Sequence, residues 1–195
     1  MKDHDPRNDS GLRTLDEASK LHKTPALIPR SDFGSYISGF VDGEGCFCVS
    51  FRPSRRHRFG WEVRPSFSVS QNAERAELLH GLKSAWGCGS IRPDRSDKTL
   101  KFEIRNVRDL VEKVVPHFHQ YPLFSSKQAD VVRFGRVCRW VFEGRHLERS
   151  GLEEIVQTAM EMNPSGKRKY SGSEILNSLR SGERIVYATS NRGST

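Results

Sequence analysis

The stretch from Tyr36 to Phe47 constrains the fold more than any other part of the chain. Ser35, Gly39 and Gly43 recur four residues apart, so a helix here carries three tiny side chains on one face, open to another backbone. Asp42 and Glu44 fall in its last turn, where the outward carbonyls make a carboxylate unfavourable by about 0.3–1 kcal/mol. Two acids at that end, bracketed by Gly43 and Gly45, point to a cation or to a substrate that carries one. A glycine-rich helix stop with solvated acids is the other reading, and the residues alone leave both open. Directly after Gly45 the hydrophobic period changes to two.

That change runs on along the chain. Phe47, Val49 and Phe51 alternate with Cys46, Cys48, Ser50 and Arg52. After a basic loop with Arg55, Arg56, His57 and Arg58, the apolar set Val63, Pro65, Phe67 and Val69 alternates with Glu62, Arg64, Ser66, Ser68 and Ser70. This is an antiparallel hairpin with one dry and one wet face, and Pro65 implies a strand position whose N–H is not needed. A helix opens at Asn72–Arg75, runs through Leu78, Leu79, Leu82, Ala85 and Trp86, and stops at Gly87. A second hairpin follows over Gly89–Pro93 and Thr99–Arg105, then helices over Asn106–Val115 and Ser125–Glu143. His117-Phe118-His119 reads as a loop feature. Short helices near Leu152–Met162 and Ser173–Leu179 flank a Pro164-Ser165-Gly166 break. The expected fold class is α+β, with two hairpins in one four-stranded sheet.

Residues 1–30 hold few apolar side chains and three prolines, and read as a flexible charged tail; Ser31-Asp32 supplies caps for the first helix. Residues 31–163 make the core and 164–195 a basic C-terminal tail, frayed over 190–195. The 195 residues carry a net charge of +8, doubled in a pair of chains, which favours a polyanionic partner, chiefly nucleic acid. The four cysteines, Cys46, Cys48, Cys88 and Cys138, form no zinc-ligand spacing, and a reducing compartment suits them. No apolar run reaches the ~18–20 residues of a membrane span, and no apolar leader opens the chain. The expected place is intracellular, in a bacterial cytoplasm or an organelle, with no membrane partner.

Ile37 to Gly45, I-S-G-F-V-D-G-E-G, resembles the nine-residue signature of LAGLIDADG homing endonucleases. Segments in the family's order extend the resemblance from Phe33 to Leu179, and a single copy of the signature is present. The resemblance implies an αββαββα fold whose sheet lies on double-stranded DNA. It also implies a homodimer joined through Ser35, Ser38, Gly39, Asp42 and Gly43, and intron-homing cleavage of a long near-palindromic site with short 3′ overhangs. In it, Glu44 is the metal-holding acid, with Gly43 as a second ligand and Mg2+ (or Mn2+) as the cofactor. Asp42, matching the first acid of the signature, is structural.

Gln71 resembles a residue that positions water, Arg75 one beside the scissile phosphate, and Lys127 the lysine of the family's Pro-Leu…Lys segment. Family members often carry two lysines there, where this chain has Ser126 then Lys127. The wet hairpin faces supply base-reading candidates: Cys48, Ser50, Arg52, Glu62, Arg64, Ser66, Ser68, Ser70, Arg92, Thr99, Lys101, Glu103 and Arg105. Arg55, Arg56 and Arg58 in the loop, and Lys167, Arg168 and Lys169 near the C-terminus, are candidates for phosphate. An RNA maturase or a DNA-binding regulator on the same fold, without cleavage, is the alternative, with RNA as its partner in the first case.

Overall fold

Helix α1 (Phe33–Glu44) passes into strand β1 (Gly45–Pro53) without a loop, so the helix end and the sheet share one boundary. The computed structural model describes residues 32–94, 98–164 and 166–181. The expected tail over 1–30, the Ser31 cap and the frayed end at 190–195 lie outside them. Asp32 holds the N-cap position of α1 but makes no side-chain capping bond. The Gly45 N–H donates back to the Val41 oxygen. A Cβ at Gly45 would come within 2.7 Å of that oxygen and collide with the Val41 side chain, so a glycine is required for this sharp exit.

β2 (Trp61–Asn72) returns along β1, and a short 3-10 turn, Ala73–Arg75, leads to α2 (Glu77–Trp86). β3 (Ser90–Pro93) and β4 (Thr99–Ile104) form the second hairpin, and the sheet order is β1-β2-β4-β3 with every pair antiparallel. Pro65 pairs with Val49 in β1, and β4 joins β2 only from Phe67 onward, so Pro65 sits where β2 has one neighbour. There the missing N–H costs no ladder bond.

Phe47, Val49, Phe67, Val69, Phe102 and Ile104 turn to one sheet face, all at or below 1 % exposure, and helices cover it. The Phe47 ring meets Phe67 at 5.1 Å, Phe118 at 5.2 Å and Phe134 at 5.4 Å, so one side chain ties the sheet to two helices. Burying each such ring stabilises the fold by about 1.5–3 kcal/mol.

Beyond β4 the helix expected to stop before Pro116 continues. A helical turn, α3 (Val107–Asp109), widens into π-helix over Leu110–Val114, and α4 (Val115–Gln120) carries Pro116 in its first turn. Proline has no N–H to donate and needs room for its ring, and the widened turn just ahead accommodates both. His117 and Phe118 are therefore helical rather than in a loop, with Phe118 fully buried. α5 (Lys127–Phe142), α6 (Arg149–Met160) and α7 (Gly172–Ser181) complete the described fold. Ile155, Val156, Ile175 and Leu179 join the same core, so α7, read from sequence as part of a tail, packs with the body of the domain. The Trp61 indole N–H donates to Ser178 at 2.8 Å, tying α7 to the start of β2.

Candidate active site and nucleic-acid face

The last turn of α1 leaves backbone oxygens without helical partners. Here an ammonium meets them: Lys127 Nζ lies 3.1 Å from the Val41 oxygen, 2.5 Å from that of Asp42, 3.4 Å from that of Gly43 and 3.1 Å from that of Gly45. A positive charge at a helix C-terminus is favourable, and it offsets the local penalty of the two acids. The return contact comes from Asp42. Its Oδ2 accepts the N–H of Phe124 at 3.1 Å and of Ser125 at 2.9 Å, while the Ser125 hydroxyl donates to Oδ1. Burial opposes ionisation of Asp42. The Ser125 hydroxyl, the two N–H groups and the Lys127 charge outweigh it and hold the carboxyl below its ordinary value.

Lys127, expected to be catalytic, directs its ammonium at four backbone oxygens of the helix end. Ser38, read as an interface residue, is 4 % exposed and donates its hydroxyl to the Tyr121 oxygen at 2.6 Å, inside the protomer. Asp42 likewise turns into its own chain. The remaining face is different. Ser35, Gly39 and Gly43 are exposed, and a Cβ added at Gly39 or Gly43 would meet nothing within 4 Å among the described residues. Tyr36 on the same helix is 47 % exposed, and Phe124, held against Asp42 by its backbone, is 103 % exposed.

Glu44 ends the helix exposed to solvent, and among the described residues its carboxylate has no hydrogen-bond or ion-pair partner. No group of three or more His, Cys, Asp or Glu gathers to hold a metal ion among the described residues. One protomer thus offers a single carboxylate and the backbone oxygens beside it, of which that of Gly43 lies farthest from the ammonium. Oxygen donors of this kind fit a hard divalent cation that keeps most of its waters.

Strand register then lays out the polar face, since residues directly opposite each other point the same way. Its cross-strand rows are Arg52–Glu62, Ser50–Arg64, Cys48–Ser66, Cys46–Ser68–Glu103–Ser90, Ser70–Lys101–Arg92 and Asn72–Thr99. Arg105, two residues beyond Glu103, shares that face. Gly45 pairs with Val69, so Glu44 stands at the sheet end next to the Ser70 row. All thirteen side chains read as wet fall on this face, although Ser68 and Glu103 are each only 8 % exposed. Gln71 pairs with Leu100 and so has the opposite parity. Its Oε1 accepts the Asn72 N–H at 2.8 Å where the strand turns into the 3-10 segment that carries the exposed Arg75.

The basic loop of the first hairpin closes a recess of about 410 Å³, lined by Arg52, Arg55, Arg56, His57 and Glu62 among others. Arg58 stands over the Phe59 ring, 5.3 Å from its centre. Arg168, read as a phosphate contact, is committed elsewhere. Its guanidinium donates to the oxygens of Val49 at 3.3 Å, Ala159 at 2.5 Å and Met162 at 2.7 Å, capping the end of α6 against β1. A fork of five donors near three carbonyls with free lone pairs finds better partners within the fold than on its surface. Lys167 and Lys169 stay exposed.

Residues 37–138, just over half of the chain, match the LAGLIDADG endonuclease family. The chain belongs to the LAGLIDADG endonuclease family. Among curated relatives, a probable intron-encoded endonuclease of Neurospora crassa is 29 % identical over 130 residues, which is 66 % of this chain and 29 % of that protein. The chain thus spans less than a third of the length of that relative. The solved structure of an archaeal intron-encoded homing endonuclease, I-Vdi141I, in complex with DNA is 28 % identical, with a TM-score of 0.71 over 77 % of this chain and 97 % of that one. I-SmaMI, solved on an uncleaved DNA target in the presence of calcium ions, is 27 % identical with a TM-score of 0.67, covering 83 % of this chain and 53 % of that one. The LAGLIDADG signature is α1 from Ile37 to the Gly45 cap, and the shared fold is the α+β arrangement with a four-stranded antiparallel sheet. No helix among the described residues is long and apolar enough to cross a membrane.

Proposed function

We propose that this LAGLIDADG chain is half of a site-specific double-strand DNA endonuclease that works as a homodimer on a long, near-palindromic site, as in intron homing. The observation that carries the proposal is the placement of Glu44. A carboxylate without a partner among the described residues stands at the end of the helix whose Gly39 and Gly43 face is open, next to the polar face of the sheet. Two copies joined along that open face bring two Glu44 carboxylates together, and like charges so close favour a shared cation.

In this reading Glu44 and the Gly43 oxygen hold magnesium or manganese, which, when bound, supplies Lewis-acid stabilisation and a nucleophilic water. Lys127 keeps the helix end, and with it Glu44, in place. Gln71 orients water from the sheet end, and Arg75 offers charge to the phosphate that is cut. The polar rows of the sheet read bases, while the Arg55, Arg56 and Arg58 loop and Lys167 and Lys169 meet phosphates. Each strand is cut across the minor groove, leaving short 3′ overhangs, inside the compartment that holds the DNA.

One observation favours a second reading, an RNA maturase or DNA-binding regulator without cleavage. Lys127, the first residue of α5, is engaged by backbone oxygens, and Ser126 stands beside it where a second lysine would be. A plasmid library with a randomised insert, treated with the purified chain in magnesium, separates the two. The endonuclease enriches one near-palindromic family of cut ends with 3′ overhangs; binding of a site without any cut ends would favour the second reading.

A further inference from the structure

Glu103 is a buried acid on the face proposed to lie on a polyanion. It is 8 % exposed, in the row Cys46–Ser68–Glu103–Ser90 at the centre of the sheet. Its carboxylate is shared by two arginines, Arg92 in β3 and Arg105 just past the end of β4. Arg105 grips both oxygens, Nε to Oε2 at 3.0 Å and Nη2 to Oε1 at 3.1 Å, while Arg92 reaches Oε2 through Nη2 alone at 3.4 Å. The side chains of Arg92 and Arg105 stay 47 % and 56 % exposed. Two guanidinium groups on one carboxylate leave a local charge of +1, so the patch still attracts phosphate. The division of contacts is unequal: the fork of Arg105 is consumed, whereas Arg92 is tethered at one nitrogen and keeps its other donors free among the described residues.

We propose that Glu103 is a positioning residue for sequence recognition, which fixes the direction of Arg92 so that its free donors address a guanine edge, and keeps Arg105 off the phosphates. The inference rests on the reading that this sheet face lies on DNA. A long, flexible arginine held in advance loses less freedom on binding and discriminates bases better than a loose one. The buried acid also acts by repulsion, since an unpaired carboxylate on this face penalises any docking that pulls its arginines away.

The test compares the parent with Arg92→Ala, Glu103→Gln and Glu103→Asp in the randomised-insert cleavage assay, and measures affinity for a random-sequence duplex against salt. Glu103→Gln keeps the shape and releases both arginines; Glu103→Asp keeps the charge but withdraws it from Arg92, which covers the case in which the glutamine variant does not fold. The expected result is relaxed guanine preference, by about tenfold, at the same half-site position for all three variants. Glu103→Gln should also bind the random duplex more tightly with a steeper salt slope, a change that a merely structural residue would not produce. If Arg92→Ala relaxes one position while a folded Glu103 variant keeps the parental profile there, the positioning role is overturned and the sheet reading stands. If Arg92→Ala and the Glu103 variants all keep the parental profile, and Arg64→Ala, assayed beside them as a second position of the same face, keeps it too, the sheet reading falls and the positioning role with it.

Discussion

Lys127 and Asp42 exchange partners between two helix ends. The Lys127 ammonium lies 2.5 Å from the backbone oxygen of Asp42, and the Asp42 carboxylate accepts the Ser125 N–H at 2.9 Å, two residues before Lys127. The negative end of α1 thereby receives a cation and the positive end of α5 an anion, each the favourable sign. Glu44 is two residues from the crossing point, so the exchange sets where the exposed carboxylate stands.

Replacing Lys127 with Met keeps the aliphatic stem and removes the charge, leaving helix-end oxygens to solvent. The expected loss is about 1.5–3 kcal/mol of stability, measured by urea unfolding. An unchanged unfolding midpoint would show that the ammonium is dispensable to the helix end.

Asp42 gives the clasp a pH dependence. Its folded pKa is depressed, so its contribution is complete above the unfolded carboxylate value of about 4 and is lost as pH falls through the folded value. Asp42→Asn should therefore be less stable than the parent at pH 6, with the gap narrowing as pH falls below about 4. A gap that keeps its size as pH falls from 6 through the acid range would contradict the linkage.

Much of this was legible from residues alone, because period two and period four are written into the chain. The polar rows follow from the alternation of Cys46 to Arg52 and Glu62 to Ser70, and register only had to align them. The clasp was not legible. Lys127 and Asp42 are 85 positions apart in numbering, and neither residue type tells a backbone partner from a phosphate. The bond of Ser38 was hidden for the same reason, since a serine beside glycines fits an open face as well as a buried carbonyl. Arg168, between two exposed lysines, carries no sequence mark of the three oxygens it caps. Pro116 hid a helix because the widened turn that admits it has no signature in composition.

Lys169 and Arg168 are adjacent basic residues with different work. Lys169→Ala should leave stability within about 0.5 kcal/mol and reduce the salt slope of DNA binding by about one. Arg168→Ala should lower stability by about 1.5–3 kcal/mol, because the oxygens of Val49, Ala159 and Met162 lose their donor. Calorimetry and binding titrations over salt read both, and a destabilised Lys169→Ala with an intact Arg168→Ala would reverse the assignment.

Gly39 probes the open helix face. Among the described residues nothing lies near its absent Cβ, so Gly39→Leu should fold with parental stability yet fail to pair, since the larger side chain separates two backbones that must approach. Sedimentation should give a monomer with little site-specific DNA binding. A dimer of unchanged mass and activity would move the interface elsewhere.

The central claim rests on the charge of Glu44, and Glu44→Gln removes that charge while keeping the shape. In magnesium, on a plasmid carrying the insert that the parent selects from the library, the variant should bind as tightly as the parent or more tightly and cut neither strand. A helix-stop residue would respond in the opposite way, because losing a carboxylate at the negative end of α1 relieves an unfavourable charge and leaves activity intact. Parental cutting rates from Glu44→Gln would contradict the account.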